Sequence, residues 1–117
     1  MPKFSIKRED RVRLQHMLDA AIEIQQYVQS SAREDLNRDR KLVHSLVRLL
    51  EIIGEAATQV SEELRGRVPD IPWSVIVGMR NRLIHAYFSI NLNVVWSTST
   101  EDIPLLVTDL KKLLSRG

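Results

Sequence analysis

Between Gly78 and Phe88 the chain reads GMRNRLIHAYF, and Arg80, Asn81, Arg82, His85 and Tyr87 interrupt what is otherwise an apolar helical pattern. Those residue types define a chemistry. A histidine near neutral pKa exchanges a proton with a substrate hydroxyl, and an arginine beside it neutralises charge that builds on a phosphate in the transition state. A ribonuclease that works without metal needs those two parts. In that reaction the ribose 2′-hydroxyl attacks the adjacent phosphate, so the substrate brings its own nucleophile and DNA, lacking that group, is excluded. Arg80 and His85 are the candidate catalytic pair.

Spacing alone does not bring the pair together. At about 100° per residue, Arg80 and His85 point roughly 140° apart on an ideal helix, whereas Asn81 shares a face with His85 and Arg80 with Tyr87. Three arrangements answer this: the helix ends near His85, the long Arg80 side chain wraps round, or two copies of the motif meet across a homodimer. The third is the expectation, because a two-fold contact brings two basic helices to one cleft. The same residues also have an ordinary use. Arginine and histidine at a helix end cap carbonyls and oppose the helix dipole, and Tyr87 would serve as a core aromatic with its hydroxyl at the surface.

Other mechanisms find less support. His16, His44 and His85 fall on three different predicted helices without a carboxylate or histidine at metal-ligand spacing, so no metal site and no cofactor are expected. There is no glycine-rich phosphate loop and no G-x-S-x-G. His16 and His44 read as surface or boundary residues.

The elements that must position the motif are helical by pattern. From Arg8 to Gln29, Leu14, Met17, Leu18, Ala21, Ile24 and Val28 recur at steps of three and four. SSARED breaks the pattern, with Ser31 and Glu34 at capping-box spacing. A second long helix, roughly Asn37 to Val60, carries Leu42, Leu46, Leu49, Leu50, Ile53, Ala57 and Val60 on one side and is expected to be central. Within it GEAA, Gly54 to Ala57, offers small residues where a neighbouring helix approaches closely. RGRVPDIPW ends the run through Gly66, Pro69 and Pro72, and Asp70 is the expected cap of a helix restarting near Trp73. That helix runs through Val75, Ile76, Met79, Leu83 and Ile84 into the polar cluster, and FSINLN follows as a loop. From Val94 to about Ser115 the pattern is helical again, with a kink or break expected near Asp102 because of Pro104. The sum is an all-α antiparallel bundle of four to five helices without paired strands.

Bulk properties agree with one soluble domain spanning 1–117: 44% hydrophobic and 27% charged residues are ordinary globular composition. A formal charge of +2 permits nucleic-acid binding without demanding it. The basic groups Lys7, Arg8, Arg11, Arg13 and Arg38, Arg40, Lys41 are interleaved with acids and read as solvated helix faces. The absence of cysteine excludes disulfides and thiolate metal sites. MPKFSIKRED lacks a signal-peptide core, and no run approaches the roughly 18 apolar residues of a membrane span, so a cytoplasmic protein is expected.

With its motif in place the chain resembles the HepT-type toxins of the HEPN superfamily, encoded in prokaryotes beside minimal nucleotidyltransferase antitoxins. The resemblance covers DRVRLQHMLDAAIEI, LLEIIGEAA, IPWSVIVGMRNRLIHAYF and VVWSTSTEDIPLL, nearly the whole chain. The family motif of arginine, four residues, histidine, one residue and tyrosine stands here as Arg80, NRLI, His85, Ala86, Tyr87. The resemblance implies an HEPN-like helical fold, a homodimer with the motif at its interface, and metal-independent cleavage of RNA. It implies that His85 transfers the proton, that Arg80 meets the phosphate, and that Asn81 orients or binds substrate; Arg82, next in the run, adds a second substrate contact. It further implies that the antitoxin silences the toxin by attaching AMP to Tyr87. A different class of function uses the same residues: a non-enzymatic partner subunit binding nucleotide or substrate for the nucleotidyltransferase.

Overall fold

The computed structural model describes residues 5–86 and 89–116, of which 84–86 by backbone alone. Its two longest helices, α1 (Arg8–Gln29) and α2 (Arg40–Gln59), pack along each other through the stripes their sequences dictate. Leu14, Met17, Leu18, Ala21 and Ile24 are buried from α1. Leu42, Leu46, Leu49, Leu50, Ile53 and Ala57 are buried from α2, with Val60 just beyond its end. Full burial of one such aliphatic side chain stabilises by about 1.5–3 kcal/mol, so this seam dominates over helix propensity, which varies by less than about 1 kcal/mol per residue outside proline.

Two side-chain bonds fix the helix directions. Asp10, in the first turn of α1, accepts from the Ser61 backbone N–H at 2.8 Å and from its hydroxyl at 2.6 Å, just past the end of α2. Arg11 donates through Nη1 to the Leu114 carbonyl at 3.3 Å, near the end of the last helix. The start of α1 therefore lies beside the ends of both, and α1 runs antiparallel to each.

The connections show where local chemistry differs from expectation. SSARED forms a 3-10 turn, Arg33–Asn37, but Ser31 and Glu34 do not make its cap. The Ser31 hydroxyl donates instead to the Tyr27 carbonyl (2.8 Å), one of those α1 leaves open at its end, and Asp35 accepts from the Ala32 N–H at 2.8 Å. Asp39 then caps α2, accepting from the Leu42 N–H at 3.0 Å, so α2 begins later than Asn37. Ser61 caps a short helix α3 (Glu62–Arg67) that takes in Gly66, its hydroxyl accepting from the Leu64 N–H at 3.2 Å. Asp70 is exposed and caps nothing: the N-cap position of α4 (Trp73–Val77) is Pro72, so Asp70 stands too early to reach the open N–H groups. Trp73 secures this loop through its Nε1 donor to the Val68 carbonyl at 2.9 Å.

The helix expected from Trp73 to Ile84 is divided. After α4 a turn at Gly78 leads to α5 (Met79–Leu83), and the chain then leaves helix for β1 (Ile84–Ala86), which pairs antiparallel with β2 (Ser89–Ile90). The ladder is a correction to the expectation of no paired strands, although the architecture remains a helical bundle. One carbonyl marks the point where helix gives way to the ladder. In a continuing helix Leu83 would accept from the N–H of the fourth residue on; here it accepts from the Asn91 N–H at 2.8 Å.

Helix α6 (Leu92–Ser97) starts from an Asn91 cap, whose Oδ1 accepts from the Val94 N–H at 3.1 Å. It runs without a break through a π-helical turn, Thr98–Asp102, into α7 (Ile103–Arg116). Of the kink or break expected near Asp102, no break occurs, and the disturbance takes the form of the π turn. The wider turn pairs the Ile103 N–H with the Thr98 carbonyl, five residues back, and so absorbs the missing donor and the ring of Pro104 without ending the helix. As expected α2 is central, touching α1, α4, α5, α6 and the 3-10 turn. Among the described residues no helix is long and apolar enough to cross a membrane.

Candidate active site

Helix α5 is short, and its position is set by two buried residues, Met79 and Leu83, four apart on one face. Their burial leaves Arg80, Asn81 and Arg82 exposed on the other side. Arg80 turns toward α2, where its Nε lies 3.2 Å from Oε2 of Glu51; the Arg80 side chain is 72% exposed and that of Glu51 only 26%. This ion pair stands on a hollow of about 450 Å³ bordered by Arg48, Glu55 and Thr58 from α2 and by Val77 opposite.

Gly54 makes that approach possible. A Cβ there would sit 3.0 Å from the Ile76 carbonyl oxygen, against backbone that has no freedom to swing aside. The reading of GEAA as a packing site is borne out, and the small residue on α2 is what lets α4 and α5 come close enough for Arg80 to meet Glu51.

Arg82 faces the other way. With Val75, Met79, Leu105 and Leu106 it lines a larger, mainly apolar groove of about 830 Å³ between α4–α5 and α7, rimmed by Asp102 and Asp109. Val75 is 46% exposed and Leu105 68%. The two arginines therefore flank different hollows, and Asn81 borders neither.

The backbone places His85 in β1, beyond the end of α5 at Leu83. Its side chain lies outside the described residues, as does Tyr87 altogether. The helix ends before His85, so the ideal-helix angle between it and Arg80 does not apply. His16 and His44 are exposed on α1 and α2, in line with a surface role. Arg38 pairs with its neighbour Asp35 at 3.7 Å, as an interleaved solvated face would, and Lys7 with Glu63 of α3 at 3.6 Å. The expected solvated face around Lys7–Arg13 is corrected by Asp10, which is buried, and by Arg11, which is half-buried against Leu114.

Sequence reasoning does not single out Glu51 or Arg48. Both occupy ordinary polar positions in the amphipathic pattern of α2, and the nearest signal is Gly54, one turn on, which marks the close approach without naming the partners.

Comparison with known proteins places these residues within a family. The family model described as Ribonuclease HepT-like matches residues 17–113, which include the whole motif. A protein of Caldanaerobacter subterraneus subsp. tengcongensis named "Putative RNase" is 37% identical over 103 residues, 88% of this chain and 92% of its own. "Probable ribonuclease HepT" of Thermococcus cleftensis is 36% identical over 108 residues, 92% of this chain and 98% of its own. A "Putative RNase" of Methanocaldococcus jannaschii is 30% identical over 105 residues, 90% of this chain and 96% of its own. No solved structure gives a significant match.

Proposed function

The chain belongs to the HepT-like ribonuclease family, and from that premise we propose that it is the toxin of a toxin–antitoxin pair, a homodimeric endoribonuclease that cuts RNA without metal. The observation that carries this reading is the motif itself within the family match: Arg80, His85 and Tyr87 at family spacing, with Arg80 exposed on a short helix that ends before His85. In the proposed reaction the 2′-oxygen bonds to phosphorus as its proton leaves to a base. The 5′-oxygen departs with a proton from an acid, leaving a 2′,3′-cyclic phosphate and a 5′-hydroxyl. His85 moves protons, and two copies of it across a dimer would supply base and acid. Arg80 neutralises the phosphorane charge, and Asn81 and Arg82 hold flanking RNA.

Support for the dimer comes from the groove beside Arg82. Leu105 and Val75 stand exposed in it, and it carries charges of both signs, Asp70 and Arg82 on the α4–α5 side and Asp102 and Asp109 on the other. A second copy related by a two-fold axis would cover the apolar side chains and set arginine against aspartate.

Silencing is proposed to occur at Tyr87, by AMP transferred from a nucleotidyltransferase antitoxin. A phenol is a usable acceptor hydroxyl once an enzyme delivers ATP and metal to it, and the new anion would compete with RNA phosphate for the neighbouring arginines.

Incubation of the purified protein with RNA in the presence of a chelator tests the reading. Cyclic phosphate ends are expected, with a loss of about 10²-fold or more in His85→Ala and Arg80→Ala. Activity that disappears with chelator, or that survives both substitutions, overturns the mechanism. Protein that binds nucleotide but cuts no RNA would mark the non-enzymatic partner subunit instead.

A further inference from the structure

We infer that Glu51 is a positioning residue for Arg80, holding its guanidinium by one edge so that the remaining donors face the substrate phosphate. The inference rests on the ribonuclease reading and adds to it a residue outside the family motif. Three observations lead to it. The contact runs through Nε, at 3.2 Å from the Glu51 carboxylate, while the Arg80 side chain as a whole stays 72% exposed. An arginine held in this way keeps its terminal fork for a phosphate, whose oxygens match that geometry in pairs.

The second observation is burial. Glu51 is about three-quarters buried, so its carboxylate is far less free to wander than the exposed partners of the surface pairs Lys7–Glu63 and Arg67–Glu63. A pair anchored on one side by a packed helix restrains the long arginine chain; two mobile side chains do not. The third is the close approach at Gly54, which sets the α2 backbone against Ile76 at the start of the segment carrying Arg80. Distance between carboxylate and guanidinium is thereby set by packed backbone.

A carboxylate on the floor of a site for a polyanion has a cost, since it repels the phosphate that Arg80 attracts. That opposition yields a signature that a purely structural residue would not produce. Removing Glu51 should weaken turnover, because Arg80 loses its orientation, and at the same time should leave RNA binding unchanged or tighter, because a negative charge has gone.

The test uses the full-length protein and a single-stranded RNA oligonucleotide, comparing wild type with Glu51→Ala and Glu51→Gln. In Glu51→Ala kcat should fall about tenfold with KM equal to or below that of wild type, the scale expected when a transition-state donor is displaced but not deleted. Glu51→Gln, whose amide oxygen still accepts from Nε, should lose less. The Arg80 Nε–Hε resonance, assigned by its absence in Arg80→Lys, should show the ordered side chain in wild type and fast motion in Glu51→Ala. Thermal midpoints separate these effects from unfolding. Unchanged or raised kcat in Glu51→Ala, a higher KM at constant kcat, or an Arg80 resonance indifferent to the substitution overturns the inference. If wild type cuts no RNA at all, the ribonuclease reading falls, and the resonance still decides whether Glu51 holds Arg80.

Discussion

Replacing Asp10 with alanine should destabilise the bundle more than any substitution on its surface. Asp10 is 4% exposed and accepts from both the N–H (2.8 Å) and the hydroxyl (2.6 Å) of Ser61, the hydroxyl of which also caps α3 through the Leu64 N–H. Each hydrogen bond to a charged acceptor is worth about 1.5–3 kcal/mol, and an N–H left without a partner in the interior costs a further share. Ser61 is only half-buried and its hydroxyl can turn to water, so the two bonds do not add in full, and a loss of about 3 kcal/mol is expected. For 117 residues an unfolding entropy of about 2.1 cal/mol/K per residue makes that a drop of about 12 °C in Tm. Asp10→Asn, which keeps one acceptor, should lose about half as much. Urea unfolding followed by circular dichroism measures the free energy, and the m-value should not change. A loss below about 1 kcal/mol in Asp10→Ala would refute the idea that this carboxylate ties α1 to the α2–α3 junction.

Three further outcomes are expected. Gly54→Val should cost about 1–3 kcal/mol in urea unfolding, because its branches meet the Ile76 carbonyl, and should lower RNA cleavage in the protein that remains folded by pushing Arg80 from Glu51; stability equal to wild type would show that the helices part freely. Leu105→Asp should reduce the mass measured by light scattering from dimer to monomer with helicity retained, and an unchanged mass would place the subunit contact elsewhere than the apolar groove. Co-expressed with its nucleotidyltransferase, wild type should gain AMP by intact mass and Tyr87→Phe should not; equal modification of both would move the switch to another residue.

Helix existence was legible wherever an apolar stripe persists, because burial along α1, α2 and α7 decides their conformation over many residues at once. Caps were less so. Ser31 with Glu34 and Asp70 with Pro72 have the spacing of caps, yet each site offered a competing acceptor or a frame shifted by one or two residues, and spacing does not rank such competitors. Pro104 does disturb the regular helix. The response is a π turn in place of a break, within which Thr98 and Ser99 are buried and after which Ile103 and Leu106 are buried too.

The motif itself shows why spacing alone mispositions a site. Arg80 and His85 stand five residues apart, and on one helix that interval separates them; what changes the geometry is a bond from outside the motif, the Asn91 N–H to the Leu83 carbonyl. Asn91 acts in two directions, since its side chain also caps α6 by accepting from the Val94 N–H. The start of α6 and the end of α5 are therefore settled by one residue, and β1 and β2 are the chain folded back between them. Two tertiary contacts thus set the environment of the motif, Asn91 to Leu83 for the backbone carrying His85 and Glu51 to Arg80 for the guanidinium, and neither partner belongs to the R-x4-H-x-Y pattern. A pattern search finds the proposed reacting groups because their chemistry requires those residue types. Their relative placement comes from a carbonyl that accepts one donor instead of another, and from a glycine small enough to let two helices touch.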